Sequence, residues 1–311
     1  VLDTLTNILS TTVLYATPLI LAAMGGLFSE RSGVVNIGLE GLMTIGAFTA
    51  AVSTLNTGNP WLGVLFAILA GMLLALPHAV ASISFKADQV VSGVAINFLA
   101  LGLSVYLVKH LYEGAGQTPV VQNKLDAVAI PGLSQIPVIG PSLFNALPTT
   151  YIAIVVVLIS YFMLYRTAFG MRLRAVGEHP HAAETAGVSV ITMRYIAVLI
   201  SGALAAIGGA GLSIAVGSEF NQGTVAGQGF IALAALIFGK WRPFGVLGAA
   251  TFFGFAVALA LIGQLFQLTA YVPSEVLNML PYVLTILALA GFVGRAEAPA
   301  AVGKPYEKGS R

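Results

Sequence analysis

Residues 61–83 read WLGVLFAILAGMLLALPHAVASI, a run without one aspartate, glutamate, lysine or arginine. A helix rising 1.5 Å per residue over that length matches the roughly 30 Å hydrocarbon core of a bilayer. The rest of the chain has the same character. Apolar residues make up 58% and charged residues 8%, where a soluble domain carries roughly 25% charged. The sequence is that of an integral membrane protein. Its 35 glycines and 14 prolines lie among continuous apolar runs, as suits membrane helices that pack closely and break locally. A transmembrane barrel needs alternating segments of about ten residues instead.

The expected fold is therefore all-α, a polytopic helical bundle. Candidate spans fall near 7–28, 38–55, 61–83, 90–112, 150–166, 194–217, 229–240, 244–266 and 277–294. About nine crossings follow, within a range of eight to ten, because the second and seventh are short or interrupted by glycine and read as broken or partly inserted helices. The opening VLDTLTNILSTT has no basic n-region, so no cleaved signal peptide is read.

Basic residues fix the orientation. With the first residue outside and nine alternating spans, the cytoplasm receives Arg31, Lys86, Arg166, Arg172, Arg174, Arg194, Lys240, Arg242, Arg295, Lys304, Lys308 and Arg311 out of the 14 lysines and arginines. Lys109 and Lys124 remain outside. The stretch 113–149, rich in Pro, Gly and Gln, is then an extracytoplasmic loop, 167–193 a cytoplasmic loop, and 297–311 a polar cytoplasmic tail expected to be disordered.

An internal repeat is visible at nearly constant offset. LEGL at 39–42 resembles GQGF at 227–230, and WLGVL at 61–65 resembles the segment around Trp241 and FGVL at 244–247. Under the orientation above the second span runs outward and the seventh inward, so the repeat is expected to be inverted.

Known catalytic chemistry is absent from the sequence. No GxxxxGK[ST], HExxH or GxSxG occurs, and His78, His110, His179 and His181 are scattered. No catalytic residue, metal site or cofactor is expected. His78, after Pro77, reads as a polar residue at a kink. There is no cysteine, hence no disulfide or thiol chemistry, and a net charge of +2 gives no reason to expect nucleic acid.

Polar residues in or near spans are the candidate functional groups. Asn36, Gly38, Glu40 and Gly41 lie in NIGLEG, where the glycines allow tight turns and close packing. Glu40 is either a first-turn carboxylate favoured by the helix dipole or a substrate contact. Asn97 and Gln228 suit a neutral polar lining or hydrogen bonding between helices, with Phe230 as an adjacent apolar wall. Glu219, Asn221, Glu275 and Asn278 complete the set.

Between the halves lies RTAFGMRLRAVGEHPHAAETAGVSVITMR, 166–194, the one long polar stretch with concentrated charge. HAAETAG at 181–187 supplies about two turns of helix formers closed by Gly187. On the residues alone this is either a docking helix or a loop whose arginines set orientation.

Three stretches, LFSERSGVVNIGLEGLMTIGAF (27–48), RAVGEHPHAAETAGVSV (174–190) and GQGFIALAALIFGKWRPFG (227–245), resemble the permease subunits of bacterial ATP-binding cassette importers. They are similar to the superfamily of branched-chain amino acid and ribose permeases, most closely to its nucleoside (simple sugar) branch. The resemblance implies a permease domain over 1–296 in the bacterial inner membrane. It implies a second permease, identical or homologous, a partner ATPase on the cytoplasmic side and an extracytoplasmic solute-binding lipoprotein, all amid membrane lipid. It also gives 181–187 a role. Such permeases dock their ATPase through a coupling helix with an EAA-x3-G pattern, and His181-Ala182-Ala183 with Gly187 keeps that spacing with His in place of Glu. Small Ala182, Ala183 and Ala186 would enter a cleft of the ATPase, with Arg172, Arg174, Glu178 and Glu184 as a polar rim. The function implied is nucleoside import by a subunit that is not itself an enzyme. The alternatives are the same machine carrying branched-chain amino acids or a sugar, or an ion-coupled secondary transporter.

Overall fold

The computed structural model describes residues 2–265, 276, 279, 283 and 297–309. In chain order the helices are α1 (Leu2–Arg31), α2 (Leu39–Thr57), α3 (Pro60–Ala79), α4 (Gln89–Leu111), the short α5 (Ile139–Leu143), α6 (Pro148–Arg166), α7 (Ala168–Glu178), α8 (Pro180–Thr185), α9 (Val190–Gly211), α10 (Gln228–Phe238) and α11 (Pro243–Leu265). One π-helical turn extends α3 to Ser84 and another extends α9 to Val216. A two-residue antiparallel pairing, Val128–Ala129 with Asn145–Ala146, lies in the long connection before α6.

Local chemistry sets several helix starts. Asn59 accepts from Trp61 N just before Pro60, Asp88 accepts from Val90 N and Val91 N at 2.9 Å each, and Thr167 and Ser189 cap α7 and α9 through Gly170 N and Thr192 N. Among the described residues six helices are long and apolar enough to cross a membrane: α1, α3 with its extension, α4, α6, α9 with its extension, and α11. The second and seventh expected spans take other forms. α2 has 19 residues, less apolar and enclosed by protein along most of its length. α10 has 11, about 16 Å at 1.5 Å per residue, which is too short to cross. Of the ninth expected span, 277–294, only residues 279 and 283 are described.

The bundle has two chemically distinct ends. At one, Ser142 Oγ donates to Thr6 O near the start of α1, and Asn123 Nδ2 donates to Gly58 O just past the end of α2. At the other, the end of α1 meets the turn after α10, where Arg31 donates to Trp241 O through Nε at 2.9 Å and Nη2 at 2.6 Å, and Trp241 Nε1 donates to buried Glu30. This second end gathers the arginines and is called the basic end below. α2 therefore runs away from the basic end and α10 toward it. α1 packs on α11 while α9 packs on α3, a reciprocal exchange between the halves that an inverted repeat requires. Close approach makes it possible: a Cβ on Gly202 of α9 would sit 2.5 Å from Gly71 O of α3, so the two backbones touch where any side chain would separate them.

Two features of the basic end differ from expectation. The 167–193 segment holds two helices, and the 11-residue α7 precedes the short helix read from the sequence. The described tail is also ordered by specific contacts. Ala301 N donates to Gly177 O, Gly303 N to Gly33 O and Ala300 N to Glu178 Oε2, while Lys86 pairs with Glu307 at 2.8 Å. Tyr306 is buried against the His181 ring at 5.3 Å and beneath the Arg194 guanidinium. Low hydrophobicity argued for disorder, but one buried tyrosine and a row of backbone hydrogen bonds hold the segment down.

Candidate translocation and coupling sites

Between α1 and α2 the chain leaves helical geometry for residues 32–38, and side chains from four helices take up the freed backbone groups. Val35 N donates to Gln89 Oε1 at 2.7 Å, and Val35 O lies 3.0 Å from His78 Nε2, whose Nδ1 faces Ser92 Oγ at 3.0 Å. The carbonyl identifies Nε2 as the protonated nitrogen. Asn36 Nδ2 donates to Ser201 Oγ of α9 while its Oδ1 accepts from Gly38 N. Irregular backbone is tolerated at membrane depth only when enclosed in this manner. His78 is thus a clamp joining α3, α4 and the irregular segment, a larger role than a kink residue. Gln89 and Ser201, which carried no sequence motif, share the work.

α2 has no capping side chain of its own, and Asn97 of α4 supplies one: Oδ1 accepts from Gly41 N at 2.7 Å and Nδ2 donates to Ile37 O at 3.0 Å. Both ends of the amide are occupied, so Asn97 holds a helix start and has little left with which to bind a solute. α10 likewise has no cap of its own. It begins after Gly227 at φ +86°, a left-handed conformation favouring glycine, and its N–H groups are met by Glu40 of α2. Oε1 accepts from Gly227 N and Oε2 from Gly229 N, each at 2.7 Å. Two helices of opposite direction thus meet start to start, with their positive dipole ends converging on one carboxylate. Glu40 is a first-turn carboxylate, but the helix it caps is a different one. Gly229 permits the approach, because a Cβ there would collide with the Glu40 backbone.

Beside this junction, Gln228 Oε1 is buried with no hydrogen-bond partner among the described residues, and the Phe230 ring is half exposed. The segment 217–227 that leads into α10 is held from the loop end. Thr118 N donates to Phe220 O, Val121 N to Ser218 O and Leu125 N to Ile214 O, with Gln117 Nε2 reaching Glu219. Asn221 Oδ1 accepts from Gly223 N and closes the local turn. Glu275 and Asn278 lie outside the described residues.

At the basic end α8 is a helix of six residues. Val188 N returns to Ala183 O across Gly187, which sits at φ +82°. Ala183 is buried, whereas His181, Ala182, Thr185, Ala186 and Gly187 are exposed, so Ala182 with Thr185 and Ala186 forms the outward face. The rim residues separate. Arg172 and half-exposed Glu184 remain near the surface. Glu178 sits 3.9 Å from Arg31 and accepts from the tail, and Arg174 turns away from α8 to lie 5.0 Å over the Tyr165 ring of α6. Arg194, a topology marker in the sequence, is 1% exposed and donates to Ser32 O and Lys304 O. No group of three or more His, Asp or Glu that could hold a metal is present among the described residues.

Known proteins share this architecture and sequence. PsaBC from Streptococcus pneumoniae, in complex with a Fab, superposes with a TM-score of 0.50 at 14% identity, covering 94% of this chain and 92% of that one, a likeness of fold. The guanosine ABC transporter permease protein NupQ of Bacillus subtilis is 52% identical, covering 100% of this chain and 99% of its own length. The nucleoside ABC transporter permease protein NupC of Lactococcus lactis is 44% identical over 99% of each. The putative glucose ABC transporter permease protein TsgC13 of Haloferax volcanii is 36% identical over 97% and 98%. The model of the branched-chain amino acid transport system / permease component family matches residues 8–289. Six helices long and apolar enough to cross a membrane among the described residues, two others joined at Glu40 and full-length similarity to transporter permeases lead to one conclusion: this multi-pass membrane chain belongs to the branched-chain amino acid transport system / permease component family.

Proposed function

We propose that this permease imports nucleosides across the bacterial plasma membrane, driven by a separate ATP-binding cassette subunit. The observation that carries the substrate is the end-to-end similarity to permeases named for guanosine and for nucleosides, at 52% and 44% identity. The junction of α2 and α10 suits a neutral solute. Glu40 already answers the helix dipoles, so no uncompensated charge is offered, while the Gln228 oxygen, without a partner among the described residues, and the exposed Phe230 ring provide one hydrogen-bond acceptor and one flat wall. Gln228 and Phe230 line the path, and Asn97 positions α2 beside it. Uptake of labelled guanosine, uridine and leucine is the test, in cells with the whole importer, with this permease deleted and with it restored. Deletion is expected to remove nucleoside uptake only. Loss of leucine uptake with nucleoside uptake intact would overturn the assignment.

The basic end faces the cytoplasm, and the outward face of α8 receives the ATPase. A second permease completes the pathway, and an extracytoplasmic binding protein delivers solute at the loop end. The positions of the lysines and arginines support this orientation. The chain has no cysteine, so single cysteines report directly. In intact cells a membrane-impermeant maleimide is expected to label Cys at exposed Gln122 and not at exposed Thr185, and the opposite pattern would invert the topology.

A further inference from the structure

A cavity of about 520 Å³ opens at the basic end between α1, α6, α7 and α11, lined by Arg31, Tyr161, Tyr165, Arg174, Arg242 and Phe244 together with Pro243 and Gly245. Its volume lies in the range of small-molecule pockets, roughly 300–1,000 Å³. Three guanidinium groups line it. The carboxylate nearest to them among the described residues is Glu178, 3.9 Å from Arg31 and half exposed. Arg31 is fixed by its bonds to Trp241 O. Arg174 is laid flat on Tyr165, with a buried Nε that has no hydrogen-bond partner among the described residues. Arg242 has neither an ion pair nor a side-chain hydrogen bond among the described residues and is exposed. The pocket therefore carries an excess of positive charge that the described protein does not neutralise.

The side wall is aromatic and faces outward. Tyr161 and Phe244 pack at 5.1 Å between centroids and are 38% and 50% exposed. From Tyr161 an exposed apolar stripe continues along α6 through Leu158 and Ile154, at the i, i−3, i−7 spacing of one helix face. Both α6 and α11 are membrane-crossing helices, so the stripe lies in the hydrocarbon layer and leads directly into the arginine pocket. Tyrosine at this depth belongs to the interfacial belt.

We propose that this pocket binds the phosphate of an anionic phospholipid headgroup, with one acyl chain lying along Ile154, Leu158 and Tyr161. Planar guanidinium groups match phosphate oxygens in pairs, and basic pockets between helices at the cytoplasmic face of a membrane are suited to such headgroups. A soluble phosphate would account for the arginines but not for the stripe. A docked protein carboxylate would have no use for an apolar face at membrane depth. The bound lipid would join α6 and α11 to α7, the helix that immediately precedes α8.

The test uses the full chain purified in detergent and relipidated with phosphatidylglycerol or with phosphatidylcholine of the same acyl chains, followed by native mass spectrometry. Wild type is expected to keep phosphatidylglycerol at collision energies that strip phosphatidylcholine. The Arg174→Gln/Arg242→Gln double variant is expected to lose the adduct by about tenfold or more, the change expected for removing ~1.4 kcal/mol of binding. Arg172→Gln removes a charge from an exposed position outside the pocket and is expected to keep it. Equal loss in Arg172→Gln, or equal retention of phosphatidylcholine, would overturn the site. Displacement by millimolar glycerol 3-phosphate would overturn the lipid as its source. A double variant that keeps phosphatidylglycerol but no longer copurifies with the ATPase would reassign the arginines to protein docking.

Discussion

Replacing Glu40 with alanine is expected to destabilise the permease and abolish uptake. The two 2.7 Å bonds to Gly227 N and Gly229 N are charge-assisted and part-buried. Losing them strands two backbone donors at about 1–3 kcal/mol each and leaves both helix starts without a countercharge. Since α10 has only 11 residues and no cap of its own, that loss falls on its whole placement. Glu40→Gln separates the contributions. Its amide oxygen can accept from one glycine, but its NH2 must face the other donor, so about half the destabilisation is expected to persist. Thermal unfolding in detergent, read beside nucleoside uptake, measures both variants. Wild-type melting and wild-type uptake in Glu40→Gln would show that the junction does not hold the two halves together.

Ala182→Arg is expected to produce the second large effect by a different route. Ala182 is exposed on α8, so the change should leave the fold within about 0.5 kcal/mol of wild type. A bulky cation on the docking face should reduce ATPase copurification and lower uptake about tenfold or more, equivalent to ~1.4 kcal/mol of lost association. Normal copurification and uptake would remove α8 from the interface. Ala183→Arg is the wrong variant for this purpose. Ala183 is 4% exposed, and an arginine there enters the core and tests folding.

The membrane fold was legible because bilayer crossing imposes length and composition on each span locally. The junction was not legible. Asn97 could be read as a lining residue or as a hydrogen bond between helices, and the structure shows the second; its partners, Gly41 and Ile37, lie 56 and 60 positions away and could not be named. Glu40 sits in the first turn of its own helix, where its own dipole would suffice to explain it, and nothing local points to α10. A usable signal existed: α2 and α10 both start on glycine where Ser, Thr, Asp or Asn is usual, so a cap had to come from elsewhere. Arg194 lies at the basic end with the other arginines, but its burial was not legible, because it is covered by a tail whose composition suggested no structure.

Glu40 also sets a schedule for biosynthesis. Its partner Gly227 follows 187 residues later, and at ~5–20 residues per second a ribosome needs about 10–40 s to deliver it. For that interval the nascent first half carries a carboxylate whose acceptor oxygens have no permanent donors, in a segment destined for the membrane interior. The second irregular segment does not close that gap early, since its own anchors at 117–125 wait for residues 214–221 in the same way. The newly made N-terminal half therefore cannot complete the Glu40 junction until α10 arrives, and a chain stopped before Gly227 lacks both of its donors.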